Sequence, residues 1–176
     1  SPGSNYGGDA TFRVRTQDAM HALLYFDLSS LPPGSIIQQA ELLLFQDSRT
    51  NHNTITLEAY AMLRPWNEYQ ANWNQAQSND PWGQAGASAP DVDRASSPVT
   101  SVQIDQPQGF VSLNIQPLVQ NWVDQPTQNH GVQLRATGSG KVAYYFASRE
   151  HTNPDYHPRL RVQYMMMPST STPTPT

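Results

Sequence analysis

A short stretch near the end of the sequence holds three side chains of the types that bind metals. These are His151, Asp155 and His157. Imidazole nitrogens and carboxylate oxygens are common zinc ligands, but this spacing matches no established ligand frame. Pro154 and Pro158 favour a rigid, solvent-exposed loop instead, so we predict no metal site there. A structural calcium ion at Asp9 or Asp18 is compatible with the sequence, which does not specify one.

Hydrolysis of a glycosidic bond would require two carboxylates on opposite sides of a cleft. The Glu residues of the chain are Glu41, Glu58, Glu68 and Glu150. The first two fall on the faces of predicted strands, and the other two fall in loops, where hydrogen bonding is their ordinary role. Residues 138–141 (GSGK) lack the flanking residues of a phosphate-binding loop and favour a hairpin turn. We therefore predict a non-catalytic protein that needs no cofactor.

Aromatic rings and arginines could bind a sugar polymer, because rings stack on sugars and guanidinium groups pair with uronic-acid carboxylates. Trp82, between Pro81 and Gly83, is the best candidate for an exposed ring. The arginines that alternate with core positions are Arg13, Arg15, Arg135 and Arg161. They would form one patch if two of their strands are neighbours, and otherwise they would belong to ordinary solvated faces.

Charge and hydropathy exclude two classes of partner. The 10 basic and 14 acidic residues give a formal net charge of −4, and Lys141 is the single lysine. Because the cations are dispersed, we predict no nucleic-acid partner. No apolar run approaches the roughly 20 residues of a membrane-spanning helix, so we predict no membrane insertion.

Alternation of apolar and polar residues predicts an all-β fold, with turns at many of the 15 prolines and 10 glycines. The predicted inward-facing sets are Phe12 and Val14; Leu24, Phe26 and Leu28; Ala40, Leu42 and Leu44; Ile55, Leu57, Ala59 and Ala61; Val102 and Ile104; Val111, Leu113 and Ile115; Val132 and Leu134; Tyr144 and Phe146; and Leu160, Val162 and Tyr164. We expect a jelly-roll-like β-sandwich of about eight to ten antiparallel strands.

Two segments interrupt the strand pattern. Leu118, Val119 and Trp122 fall at helical spacing and predict one short helix over 117–123, which begins at Pro117. Residues 66–98 contain three tryptophans and no clear period. Such long loops are usually functional or held in place by their own aromatic residues.

The end of the sequence differs in composition from the rest. Residues 168–176 are only Pro, Ser and Thr, as in extended linkers and O-glycosylated stalks. We therefore predict a domain over 1–164 followed by a linker or tail over 165–176, in a secreted or cell-surface protein.

Several blocks in order resemble the DNRLRE domain family, the disaggregatase-related repeat of large secreted surface proteins. The blocks are residues 5–11 (NYGGDAT), 23–34 (LLYFDLSSLPPG), 40–45 (AELLLF), 66–68 (WNE), 72–74 (NWN), 113–122 (LNIQPLVQNW), 129–132 (NHGV), 146–150 (FASRE) and 158–164 (PRLRVQY). The resemblance implies a jelly-roll β-sandwich without catalytic residues, and some relatives bind uronic-acid polysaccharides.

The sequence departs from the resemblance at two places. Gln116 precedes the helix where the family has Thr, so Asn114 or water must satisfy its first amides. Leu43 and Phe45 are both apolar on a face that should point outward. We expect the long loop or a second copy of the chain to cover them, because exposed apolar residues on a strand favour association.

The function expected first is a structural or adhesive module, which contacts copies of itself or neighbouring modules through Leu43 and Phe45. The alternative is a carbohydrate-binding module for acidic polysaccharides, with Trp82 and the outward arginines as contacts.

Overall fold

The computed structural model describes residues 1–166, which form eleven β-strands and one α-helix. The strands are β1 (Thr11–Arg15), β2 (Ala22–Leu24), β3 (Ser35–Arg49), β4 (Ile55–Ala61), β5 (Gln75–Gln77), β6 (Asp80–Pro81), β7 (Thr100–Ile104), β8 (Gly109–Asn114), β9 (Val132–Thr137), β10 (Ala143–Ala147) and β11 (Arg159–Met166). The helix is α1 (Gln116–Asp124), and short 3₁₀ turns occupy Pro126–Gln128 and Pro154–Tyr156. The run of Pro, Ser and Thr at 168–176 lies outside the described residues.

Two antiparallel sheets contain nine of these strands. The first has the order β1-β10-β3-β11, and β8 also pairs with β3. Residues 41–43 of β3 pair with both β8 and β11, so these two strands flank opposite edges of β3. The second sheet has the order β2-β9-β4-β7.

The core lies between the two sheets, where the inward-facing residues meet. Val14, Leu42, Leu57, Leu134 and Phe146 are fully buried in one cluster that joins both sheets. The predicted all-β sandwich is therefore confirmed, and the alternation that predicts it reflects one buried face on each strand.

Helix α1 closes the sandwich as its pattern predicts. Leu118, Val119 and Trp122 are buried against the core. The Asn114 side chain accepts a hydrogen bond from the backbone amide of Gln116 at 3.0 Å, which satisfies an amide at the start of the helix.

The long connection from β4 to β7 forms a second, smaller core outside the second sheet. Met62, Ala76, Trp82 and Ala87 are its buried members, and the short β5–β6 hairpin belongs to this connection. On β9, the buried Gln133 side chain donates to the carbonyl oxygens of Gly86 and Ala87 at 2.8 and 3.1 Å. The loop is thus held in place by its own aromatic residues and by the outer face of β9.

Two local predictions about turns and strand ends are wrong. Strand β2 ends at Leu24, so Phe26 and Leu28 pack against the core without belonging to a strand. Residues 138–141 do not form a hairpin turn, because β9 and β10, which they join, lie in different sheets. Gly138 and Gly140 have φ angles of +155° and +79°, which allow the chain to cross between the sheets.

The predicted alternation also fails near the end of β11. Tyr164 is 41% exposed, although its position in the pattern places it inward. The register between β11 and β3 shifts between Gln163 and Tyr164. Such an irregularity changes the face to which the following side chains point, so Tyr164 does not continue the inward-facing, partly buried pair Leu160 and Val162.

Candidate functional site

An open cleft of about 1010 Å³ lies at the side of the sandwich. Its walls come from segments far apart in sequence: the N-terminal residues 1–9, strand β1, residues 19–26, the long loop, and the segments around 129–130 and 145–149. Eight of the lining residues are Phe, Tyr or Trp: Tyr6, Phe12, Tyr25, Phe26, Trp66, Trp73, Trp82 and Tyr145.

The N-terminal segment forms one wall because Asn5 attaches it to the long loop. The Asn5 side-chain amide donates to the carbonyl oxygens of Glu68 and Ala71 at 2.7 and 2.6 Å. The same side chain accepts from the backbone amide of Gly7 at 3.0 Å. A side chain at position 7 would collide with the carbonyl of Glu68, so this close approach requires glycine.

The three tryptophans of the long loop also line the cleft. The indole nitrogen of Trp66 donates to the carbonyl of His130, and that of Trp82 donates to the carbonyl of Asn72, each at 2.8 Å. Trp73 lies against Gly86, where an added Cβ would be 2.6 Å from the indole ring. These contacts fix the orientation of the rings and leave little freedom in the wall.

Two tyrosines at the cleft are well exposed. Tyr6 and Tyr25 keep 49% and 55% of their surface accessible. An exposed ring on a fixed backbone can stack on the apolar face of a sugar at little cost in conformational entropy. Sequence reasoning missed both, although Tyr25 lies between two inward-facing residues and should therefore point outward.

His21 connects the turn after β1 to the tryptophan wall. Its ring centroid is 5.1 Å from that of Trp73, its Nδ1 lies 2.7 Å from the carbonyl oxygen of Gly86, and its Nε2 lies 2.8 Å from Oδ1 of Asp18. Burial lowers the pKa of His21, and the nearby Arg135 guanidinium adds to this, although Gly86 and Asp18 act in the opposite direction. Arg135 also pairs with the Asp18 carboxylate.

Two arginines reach the cleft. Arg149 pairs with Glu68 at 2.8 Å and with Glu150 at 3.1 Å. The Glu68 carboxylate raises the pKa of Arg149, so this guanidinium stays charged. Arg13 lies between the rings of Tyr6 and Tyr145, 5.8 and 6.0 Å from their centroids. The charge of Arg149 is thus neutralised by its carboxylate partners, and Arg13 is the cleft arginine whose guanidinium lies beside aromatic faces without an ion pair in the described residues.

A comparison with known protein families bears on the two alternatives. Residues 1–164 match carbohydrate-binding module family 96. The chain belongs to this family. The resemblance to the DNRLRE domain family is wrong, because that family is not found and the match over the same residues is to family 96. No curated protein matches the chain.

Membership in family 96 favours the carbohydrate-binding alternative over the structural or adhesive module. The structure shows where the side chains predicted to bind sugar lie. Trp82 is only 6% exposed, so the expectation of an exposed ring is wrong. The small core of the long loop covers Trp82, and a Pro-Trp-Gly sequence alone does not reveal such contacts between distant residues.

The four predicted arginines do not form one patch. Arg13 and Arg15 are two residues apart on β1, whereas Arg135 lies on β9 in the other sheet and Arg161 lies on β11. Strands β1, β9 and β11 are not neighbours, so the condition for a shared patch fails. Arg161 pairs with Glu41 at 3.4 Å, and only Arg13 of these four lines the cleft.

The residues considered for metal binding stabilise their own loop. His157 contacts the carbonyl of His151 at 2.8 Å, and His151 accepts from the amide of Asn153 at 3.1 Å. Asp155 lies 3.7 Å from Arg159. Within residues 1–166, no group of three or more His, Cys, Asp or Glu side chains is arranged to hold a metal ion. A structural calcium ion at Asp9 or Asp18, which the sequence allows without specifying, is not tested by these observations.

This loop also covers the apolar pair on β3. Phe45 is 6% exposed, and the Tyr156 ring stacks on it with centroids 3.6 Å apart. Phe110 of β8 packs edge-on against Phe45 at 5.1 Å, and Leu43 is half-buried. The cover of Phe45 thus comes from the segment before β11, whereas the sequence predicts the long loop or a second copy. Self-association through Leu43 and Phe45 stays a prediction.

Proposed function

We propose that this chain is a non-catalytic module that holds a polysaccharide in the aromatic cleft. The observation that carries the proposal is the pair of exposed rings, Tyr6 and Tyr25, in an open cleft of about 1010 Å³. A cleft open to solvent can take an internal stretch of a polymer, whereas a closed pocket takes only a chain end.

An acidic polysaccharide fits the charges of the cleft best. Arg13 contacts the rings of Tyr6 and Tyr145, and Arg149 also lines the cleft. Arg149 is already paired with Glu68 and Glu150, so Arg13 is the guanidinium that a uronic-acid carboxylate would pair with while the sugar rings stack on the tyrosines. This ligand class is the alternative expected from the sequence.

The acidic residues of the cleft support a binding role over hydrolysis. Glu68 lines the cleft, but its carboxylate pairs with Arg149. A glycosidase needs two carboxyl groups free to act on the scissile bond, whereas the Glu68 carboxylate is held in an ion pair 2.8 Å from Arg149.

The structural or adhesive role has less support. Its main argument is the exposure of Leu43 and Phe45, and Tyr156 already covers Phe45 within the chain. A second copy is therefore not needed to remove Phe45 from water. The Pro/Ser/Thr run and the family together support a location outside the cell. No helix within residues 1–166 is long and apolar enough to span a membrane.

The proposal is tested by affinity electrophoresis through gels that contain alginate, pectin or neutral glucans. The wild-type chain should be retarded by at least one acidic polymer. Tyr6→Ala and Tyr25→Ala should each reduce its affinity by about tenfold, because stacking of an aromatic ring contributes roughly 1–1.5 kcal/mol.

Tyr164→Ala provides the matched control. Tyr164 lies on β11 outside the cleft lining and is 41% exposed, so its removal changes surface aromatic area without changing the cleft. Equal losses of affinity in all three variants would contradict the proposal. So would a wild-type chain that migrates through every polymer-containing gel as fast as through a gel without polymer.

A further inference from the structure

A second, smaller pocket lies directly beside the cleft. Its volume is about 250 Å³, and its lining residues are Arg13, Arg15, Met20, Thr50, Lys141, Val142, Ala143 and Tyr145. Three of these side chains carry a positive charge, and none carries a carboxylate. This concentration of charge is unexpected in a chain whose net charge is −4.

Strand register brings the three cations together. Arg13 and Arg15 are two residues apart on β1 and therefore point to the same face of the sheet. Their partners on β10 are Tyr145 and Ala143. Lys141 lies two residues before β10 starts, at the end of the strand pair nearest Arg15.

The other cationic side chains within residues 1–166 have polar partners. Five arginines pair with carboxylates: Arg64, Arg135, Arg149, Arg159 and Arg161. Arg49 and Arg94 donate hydrogen bonds to the carbonyls of Asp105 and Ala95.

Arg13, Arg15 and Lys141 differ from the rest. In the described part of the chain, their side chains form no ion pair and donate no hydrogen bond, and only Arg13 has a contact with aromatic faces. Three like charges around one pocket repel each other, and an anion bound between them would relieve that repulsion.

The pocket is continuous with the cleft. Arg13, Met20 and Tyr145 line both of them. A sugar polymer that stacks on the rings of the cleft can therefore place a substituent of the same chain in the pocket.

We infer that Arg13, Arg15 and Lys141 form a subsite for the anionic group of an acidic sugar, a carboxylate or a sulfate ester. Arg15 and Lys141 belong to this subsite and do not line the cleft, whereas Arg13 belongs to both. The inference rests on the proposed binding of a polysaccharide in the cleft, and it adds the residues that select a charged polymer over a neutral one.

The experiment measures affinity for two matched pairs of ligands by isothermal titration calorimetry. The first pair is polygalacturonate and its methyl ester, which share sugar rings and differ in carboxylate charge. The second pair is dextran sulfate and dextran. The pair that shows the larger preference for its charged member identifies the anionic group as carboxylate or sulfate.

Arg15→Gln and Lys141→Gln should each weaken binding of the preferred charged ligand by about fivefold, since a partly exposed charge pair contributes up to about 1 kcal/mol. The affinity for the uncharged partner should stay at the wild-type value. Arg159→Gln removes the same charge from a site outside both pockets and should leave both affinities unchanged.

Salt provides an independent readout. Raising the ionic strength from about 0.1 to about 1 M shortens the screening length from about 10 to about 3 Å. Binding of the charged ligand by the wild-type chain should weaken over this range, and the double variant Arg15→Gln/Lys141→Gln should lose most of that dependence.

The outcomes separate this inference from the proposed function. If Tyr25→Ala weakens binding but Arg15→Gln and Lys141→Gln match the Arg159→Gln control for every ligand, the anionic subsite is wrong and the cleft stands. If the wild-type chain binds neither member of either pair and no polymer in the affinity gels retards it, both proposals are overturned.

Discussion

The Trp73 indole occupies the space that any side chain at position 86 would need. Gly86 also has a φ of +77°, a conformation that disfavours residues with a Cβ. Gly86→Ala should lower the free energy of unfolding by about 2–4 kcal/mol, from backbone strain and overpacking together.

Gly8→Ala is the matched control, because a Cβ at Gly8 meets nothing within 4 Å. Urea denaturation of both variants provides the comparison. Equal stability of the two variants would show that Trp73 can move away from Gly86, which a rigid tryptophan wall does not allow.

The Tyr156 ring stacks on Phe45, and Phe110 packs edge-on against it. Tyr156→Ala should lower the free energy of unfolding by about 1–2 kcal/mol, since it removes a stacked partner and exposes apolar surface. The variant should also self-associate at high protein concentration, which analytical ultracentrifugation measures. A variant as stable and as monomeric as the wild-type chain would mean that Tyr156 does not protect Phe45.

Hydrogen bonds from the Asn5 side chain hold the N-terminal segment against the long loop. Asn5→Ala removes both bonds from this side chain to the long loop and should lower the free energy of unfolding by about 1–2 kcal/mol. Because Tyr6 lies on this segment, polysaccharide affinity should also fall several-fold.

Asn74→Ala is the control for that change, since the Asn74 side chain is exposed and forms no hydrogen bond in the described residues. Differential scanning calorimetry of the two variants measures the loss of stability, and isothermal titration calorimetry measures the loss of polysaccharide affinity. Unchanged affinity in Asn5→Ala would show that the N-terminal wall does not contribute to binding.

Most strands are predictable from the sequence because each buries one face. Apolar and polar residues therefore alternate along the strand, and this alternation is visible without knowledge of the strand's partners. Leu42, Leu57 and Leu134 are fully buried as their alternation predicts. The end of β2 and the crossing between sheets at residues 138–141 are not predictable in this way. The sheet to which a strand belongs depends on pairing with distant segments, and such pairing leaves no pattern in the local sequence.

The candidate site is predictable only in part for the same reason. Alternation places Arg13 and Arg15 outward and on one strand, which the structure shows. It cannot place Lys141 beside them or Trp82 in a second core. Those positions follow from the β1–β10 register and from the folding of the long loop.

The stability of the whole molecule should depend on pH in the range where histidines titrate. Burial lowers the pKa of both His21 and His130 below the ordinary value of 6.5. The unfolded chain therefore binds more protons than the folded chain below that pH, so the free energy of unfolding should fall as pH decreases from about 7 to about 5.

Thermal denaturation across that range measures the effect. The variant His130→Asn removes one of the two groups and should reduce the change in melting temperature between the two ends of the range. The opposite result, a melting temperature that rises as the pH decreases, would contradict the prediction. It would mean that the folded chain tolerates the charged form of these histidines as well as the unfolded chain does.

The central claim is that the aromatic cleft and its adjoining cationic pocket bind the polysaccharide. The most direct measurement is a ¹H–¹⁵N NMR titration with a uronic-acid oligosaccharide. We predict shifts in the backbone amides of Tyr6, Arg15, Tyr25 and Lys141, and none in those of Phe110 or Arg161, which line neither the cleft nor the pocket. Shifts confined to Phe110 and Arg161, with the cleft unchanged, would contradict the account.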